Sequence, residues 1–273
     1  MFTPMMLRAA LIFCTLIALG PTPVRATTQE DVIQAEVLQG WRTDRGSVMM
    51  GLRLSLTPGW KTYWRSPGDA GIPPLFDWAG SDNLAQVRIY WPRPAVFLTN
   101  GMTSIGYHDE VVLPFEVFAV DPAQPIWLDL QLDLGVCEDI CVPATILLGS
   151  DVKGDGDHVD AIKAALADRP ASAKAAGLAG IACDIAPITD GLRVTAHLDM
   201  PSLGPDEMVV FEAGVPDIWV AGATSARQGG RLTSVTDMVG QSGAPFSLDR
   251  SGIVLTVISG GAAVEIIGCP AGQ

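Results

Sequence analysis

From Ile126 to Leu134 apolar and polar residues alternate without a break, with Ile126, Leu128, Leu130, Leu132 and Leu134 on one parity and Trp127, Asp129, Gln131 and Asp133 on the other. A period of two is the mark of a strand with one face in a core. The stretch therefore predicts a strand, and it delivers two cysteines, Cys137 and Cys141, to a sheet end. Val48, Met50, Leu52, Leu54 and Leu56 repeat the pattern, and a further apolar run covers 111–120. Short runs of this kind, broken by Gly and Pro, fill residues 30 to about 150 and predict an all-β domain.

The period changes after residue 150. A polar, glycine-rich stretch (149–156) leads into 158–168, where Val159, Ile162, Ala165 and Leu166 stand at helical spacing before Pro170. This predicts a short linker helix. Residues 171–180 are rich in small side chains and predict irregular chain. Alternation then resumes, with Leu192, Val194, Ala196, Leu198 and Met200 on one face and candidate strands at 208–212, 217–221, 231–235, 253–258 and 263–267. About six short strands in 90 residues predict a second sandwich. The resulting division is 27–150 and 181–273 for two β domains, with a linker at 151–180.

Composition sharpens this picture. Six of the seven tryptophans precede residue 150 and only Trp219 follows it, so the two halves differ in character. Residues 1–26 read as a secretory signal, with Arg8, an apolar run from Ala9 to Gly20, and Val24-Arg25-Ala26 as a small-residue cleavage site. Cys14 falls within it and goes with it. No later stretch reaches 18 uninterrupted apolar residues, so no membrane span is expected in the mature chain. Residues 1–26 hold two arginines and no acid, so the remainder carries 15 basic and 30 acidic residues, a formal charge of −15. Such a surface disfavours nucleic acid and anionic lipid as partners.

Four cysteines remain, an even number suited to an oxidising compartment. Cys183 and Cys269 flank the second half, and a bond between them contributes about 4 to 5 kcal/mol in the chain-entropy description, a structural staple. Cys137 and Cys141 close a far smaller ring, worth about 2 kcal/mol before strain. Three uses of that pair are open: a static disulfide pinning a turn, a copper or zinc site completed by His108, Met102, Glu138 or Asp139, and redox exchange. Glu138 and Asp139 raise the thiol pKa values, a setting less activating than a cationic one. Trp60, Tyr63, Trp64 and Tyr107 read first as core aromatics, with a binding surface as their other use, and His158 and His197 as surface histidines. No nucleophilic triad, phosphate loop or paired-carboxylate motif stands out.

A family resemblance rests on a longer series of residues. Gly59-Trp60-Lys61-Thr62-Tyr63-Trp64-Arg65-Ser66-Pro67-Gly68-Asp69-Ala70-Gly71, Tyr90-Trp91-Pro92-Arg93-Pro94, Gly106-Tyr107-His108-Asp109-Glu110 with Leu113-Pro114, and Cys141-Val142-Pro143 together resemble the periplasmic N-terminal region of the DsbD/ScsB family of disulfide reductases. The resemblance implies immunoglobulin-like sandwiches, a periplasmic location, and thiol-disulfide transfer without a cofactor. It implies Cys137 and Cys141 as the redox pair, with Cys141 forming mixed disulfides and Cys137 resolving them. Phe97 becomes the candidate aromatic of a cap loop, and Tyr107 and His108 candidates for a surrounding shell. Electrons would come from a separate membrane-embedded transporter or thioredoxin-like donor and pass to oxidised periplasmic clients. The Cys-x3-Cys spacing is shorter than that of the better-known DsbD domain and closer to the ScsB branch. The other reading is a non-enzymatic copper-binding or adaptor module with structural disulfides.

Overall fold

The structure is a computed structural model that describes residues 29–69, 71–99, 101–215, 217–240 and 246–272. The expected signal segment and Cys14 lie outside the described residues. The regular structure among the described residues is almost entirely strand, arranged as two β-sandwiches in succession. In the first, α1 (Gln29–Val32) leads into β1 (Ile33–Arg42), β2 (Val48–Leu56), β3 (Lys61–Gly68), β4 (Leu75–Asp77), β5 (Leu84–Ile89), β6 (Ala95–Thr99), β7 (Met102–His108), β8 (Glu110–Ala119), β9 (Trp127–Cys137) and β10 (Cys141–Asp151). One sheet has the order β1-β2-β8-β5; the other runs β10-β9-β3-β7-β6, with β4 also pairing β9.

The alternation of β9 becomes its two faces. Leu128, Leu130, Leu132, Leu134 and Val136 are buried in the core between the sheets, while Trp127, Asp129 and Gln131 are exposed. Full burial of one such leucine stabilises by about 1.5–3 kcal/mol, so a polar residue at Leu132 would break this sheet. Trp60 and Trp64 join the same core from β3 and the turn before it.

The predicted helix forms as α2 (Val159–Ala167). It links the sandwiches and also packs: Ile162 is fully buried against Leu38 and Met49 on the outer face of the first sheet. Gly40 and Gly51 make that seat, since a Cβ at either would stand 3.0 Å from the Ile162 side chain. The stretch expected to be irregular contains a two-residue strand, β11 (Ala171–Ser172), parallel to β19 of the second sandwich.

The second sandwich continues with β12 (Gly180–Pro187), β13 (Gly191–Asp199), β14 (Met208–Glu212), β15 (Ile218–Val220), β16 (Thr224–Gln228), β17 (Arg231–Gly240), β18 (Val254–Ser259) and β19 (Ala262–Ile267). Its sheets run β11-β19-β18-β14 and β12-β13-β17-β15, with β16 also on β17. Cys183 is bonded to Cys269 inside its core. Strands β12 and β16 add to those expected from the pattern, and β17 extends five residues beyond its predicted end.

The sandwiches share an interface. Val210, Ile258 and Ala263 bury themselves in the apolar cluster of the first domain. Beside them Arg65 of β3 reaches across to Glu212 at 2.9 Å and Glu265 at 2.7 Å, its guanidinium 4.4 Å from the centroid of the Trp64 ring.

Candidate redox site

Register decides which side chains gather at the cysteines. Cys141 pairs with Cys137, Cys137 with Lys61, and Lys61 with His108 across four neighbouring strands. Tyr63 pairs with Gly106, Gly106 with Ala95, and Ser104 with Phe97. Paired residues share a face, as do residues two apart. Cys137, Cys141, Lys61, Tyr63, His108 and Phe97 therefore all project from the outer face of the five-strand run, opposite the core. Tyr107 pairs with Thr62 and lies on the other face; its ring is buried in the core and its hydroxyl donates to the Pro92 carbonyl at 2.8 Å. Burial pushes its phenol well up, with Arg65 opposing that rise and Asp168 adding to it.

The cysteines form a disulfide across the mouth of the β9–β10 hairpin, with Cα atoms 4.1 Å apart. The two sulfurs are unequal. Cys137 is buried, and Cys141 is exposed on the edge strand. The hydroxyl of Tyr63 donates to Cys137 Sγ at 2.8 Å and lies 3.5 Å from Cys141 Sγ. Tyr63 is itself buried, which raises its phenol pKa and keeps it a donor.

Gly135 creates the space for that ring. A Cβ there would stand 3.1 Å from the Tyr63 ring and 3.0 Å from Ile72. Gly71 packs closely on the tyrosine as well, since an added Cβ there would meet both Pro67 and Tyr63. Thr62 Oγ1 donates to the Gly135 carbonyl at 3.0 Å and locks β3 to β9 beneath the disulfide.

Phe97 is half-buried on this face. Its ring meets the His108 ring edge-on at 6.0 Å between centroids, and Lys61 Nζ lies 5.7 Å from its centre. His108 is exposed and its Nδ1 lies 2.5 Å from Asp109. Lys61 is thus the cation nearest in register to the disulfide, with the exposed Glu138 and Asp139 at the hairpin tip. Met102 and His108 occupy opposite ends of β7, roughly 20 Å apart at strand rise, so the two candidate copper ligands are not brought together. Among the described residues no three His, Cys, Asp or Glu side chains converge as a metal site. His158 lies against Asp157, and His197 between Asp184 and Thr233 in the second sandwich.

Tyr63 is the residue that reading the sequence placed elsewhere, as core. Parity held the signal: Trp60, Thr62 and Trp64 face inward, so Lys61 and Tyr63 must face outward with the cysteines.

The N-terminal domain family of the thiol:disulfide interchange protein DsbD matches residues 29–147. The first sandwich is a DsbD N-terminal domain. The N-terminal periplasmic domain of ScsB from Proteus mirabilis superposes with a TM-score of 0.68, covering 90% of this chain and 97% of that one at 22% identity. That likeness extends the shared fold through the second sandwich. The reduced N-terminal domain of Neisseria meningitidis DsbD aligns over 48% of this chain and 91% of its own at 18% identity, with a TM-score of 0.30, too low to carry a comparison. No curated protein shows significant sequence similarity to the chain. Within the DsbD N-terminal domain, then, the Cys137–Cys141 disulfide is set on the outward face of a sheet.

Proposed function

We propose that the chain is a periplasmic thiol:disulfide interchange protein that passes electrons from a membrane-embedded transporter or thioredoxin-like donor to oxidised client proteins. The observation that carries this reading is the asymmetry of the disulfide: an exposed Cys141 sulfur bonded to a buried Cys137 sulfur that accepts a hydrogen bond from Tyr63. Exchange proceeds by in-line attack of a thiolate on one sulfur with departure of the other, and both access and the stability of the leaving thiolate set its rate.

In the reducing half, a donor thiolate attacks Cys141 Sγ. The Cys137–Cys141 bond breaks, and Cys137 leaves as a thiolate held by the Tyr63 hydroxyl. The donor's second thiolate then attacks its own sulfur in the mixed disulfide and releases Cys141. The donor loses two electrons and the pair gains them, the new thiolates taking protons from solvent. In the second half, Cys141 attacks a client disulfide and Cys137 resolves the mixed disulfide, returning the pair to its oxidised state. Phe97, Gly71 and Ile72 shield the face from unspecific thiols, and a partner displaces the shield on docking.

Equilibrating the protein in graded glutathione and dithiothreitol buffers, with mass mapping of alkylated cysteines, tests this reading. We expect Cys137–Cys141 to open reversibly while Cys183–Cys269 stays closed. Resistance of both bonds down to well below about −300 mV, the range of structural disulfides, would rule it out.

A further inference from the structure

Strand β10 is the edge of its sheet, and its outer side is closed at some points and open at others. The main-chain N–H and C=O of Thr145 point away from β9, because both are taken by the side-chain amide of Gln29: Nε2 donates to the Thr145 carbonyl and Oε1 accepts from the Thr145 amide, each at 2.8 Å. Gln29 thus pairs as the peptide group of an adjoining strand would. Gln39 does the same further along, donating to the Asp151 carbonyl at 2.7 Å and accepting from the Lys153 amide at 3.2 Å. Alternation then fixes the direction of the others: residues of odd number in β10 present their main chain to the open side. The 4.1 Å Cα separation of Cys137 and Cys141 agrees, being that of a pair that exchanges no main-chain hydrogen bonds.

Cys141 and Pro143 consequently direct one N–H and two carbonyls outward at the reactive sulfur, and no partner for any of the three is found among the described residues. An unpaired edge is a template for another strand, and proteins ordinarily block it. Here two glutamines close the edge at Thr145 and Asp151, and neither reaches the part beside the disulfide. Pro143 supplies no amide, which limits the open site to a short segment.

We infer that this edge is a docking site for an extended main-chain segment of the thiol-bearing partner, which adds as a strand to β10 at Cys141–Pro143. The segment must supply one carbonyl to the Cys141 amide and N–H groups to the Cys141 and Pro143 carbonyls. The exposed Glu138 and Asp139 at the hairpin tip favour a segment carrying basic residues, and the exposed Ile140 beside them one with an apolar residue. Strand addition takes its affinity from main-chain bonds and its selectivity from such neighbours. It explains how one surface could serve an electron donor and several clients, since main chain is common to all of them. The inference rests on the exchange reading above.

The test uses the chain lacking residues 1–26, carrying Cys137→Ala to trap mixed disulfides at Cys141. Two short lysine-containing peptides with one cysteine are compared, identical except for N-methyl groups on the residues flanking the cysteine of the second. Each is equilibrated against glutathione, with the same exchange on urea-unfolded chain as reference. We expect the unmethylated peptide to be favoured at least tenfold at folded Cys141, and hydrogen exchange of the Cys141 amide to slow at least tenfold in its mixed disulfide relative to the glutathione adduct. Equal formation of both adducts with an unchanged Cys141 amide would overturn strand docking and leave exchange at Cys141 standing. Failure of every thiol to form an adduct at folded Cys141 would overturn both.

Discussion

The Tyr63 hydroxyl lies 2.8 Å from Cys137 Sγ and 3.5 Å from Cys141 Sγ, so a single buried donor serves the sulfur that departs when the exposed one is attacked. A hydrogen bond to a charged group is worth about 1.5–3 kcal/mol. A thiolate gains more from it than a disulfide sulfur does, so the bond favours the reduced pair. We expect Tyr63→Phe to make the pair harder to reduce, lowering its potential by about 30–60 mV at about 30 mV per 1.4 kcal/mol, and to slow attack by small thiols. Redox titration of the two proteins side by side measures this, and an unchanged potential would remove Tyr63 from the chemistry.

Much of the fold was legible because burial on one face imposes a period. The alternation through Leu128, Leu130 and Leu132 and the helical spacing around Ile162 both reappear as buried faces. Strand β12 escaped because alanines at 182 and 186 blur the alternation of Ile181, Cys183 and Ile185; it is held by pairing with β13 and by the bond from Cys183 to Cys269. The site was less legible. The cysteines could be picked out by spacing, but Tyr63 reaches them through the pairing of β3 with β9 and the gap at Gly135, and neither is a local property of the sequence. The glutamine caps on β10 join residues more than 100 positions apart and leave no local trace.

The two disulfides should contribute unequally to stability. Cys183–Cys269 spans a sequence separation of 86 and lies buried in the second core, whereas Cys137–Cys141 spans 4. Replacing the first pair by alanine should cost about 2–5 kcal/mol, and replacing the second at most about 2. Urea unfolding of the two double variants checks this. A larger loss at Cys137 and Cys141 would mark that disulfide as structural.

Arg65 ties the sandwiches together through Glu212 and Glu265, and it lies two residues from Tyr63 on the same strand. Burial opposes the charge on Arg65, but the hydrogen bonds and attraction of both glutamates outweigh it and raise its pKa. Arg65→Ala leaves two half-buried carboxylates without their shared cation. We expect a loss of about 1–3 kcal/mol and a larger radius of gyration by X-ray scattering as the sandwiches separate. Lysine should restore little, because it lacks the planar fork that engages both glutamates. Adding Glu212→Gln and Glu265→Gln to Arg65→Ala should recover part of the loss.

Glu116 should make the first sandwich less stable in acid. Its side chain is fully buried and accepts hydrogen bonds from Ser47, from the Tyr90 hydroxyl at 2.6 Å and from Arg45 at 2.8 Å. Burial alone would raise its pKa, but those bonds outweigh it and hold the carboxyl below the ordinary value of 4.5. The folded state thus binds this proton less readily than the unfolded chain. Its contribution is complete above the ordinary carboxylate range and is lost as pH falls toward the lowered folded value. Glu116→Gln keeps the shape but not the charge, and we expect it to cost about 1–3 kcal/mol at pH 7. Urea midpoints of the two proteins should converge as pH falls below about 4. A gap that persists undiminished into acid would mean that side-chain packing, and not the ionised carboxylate, is what Glu116 supplies.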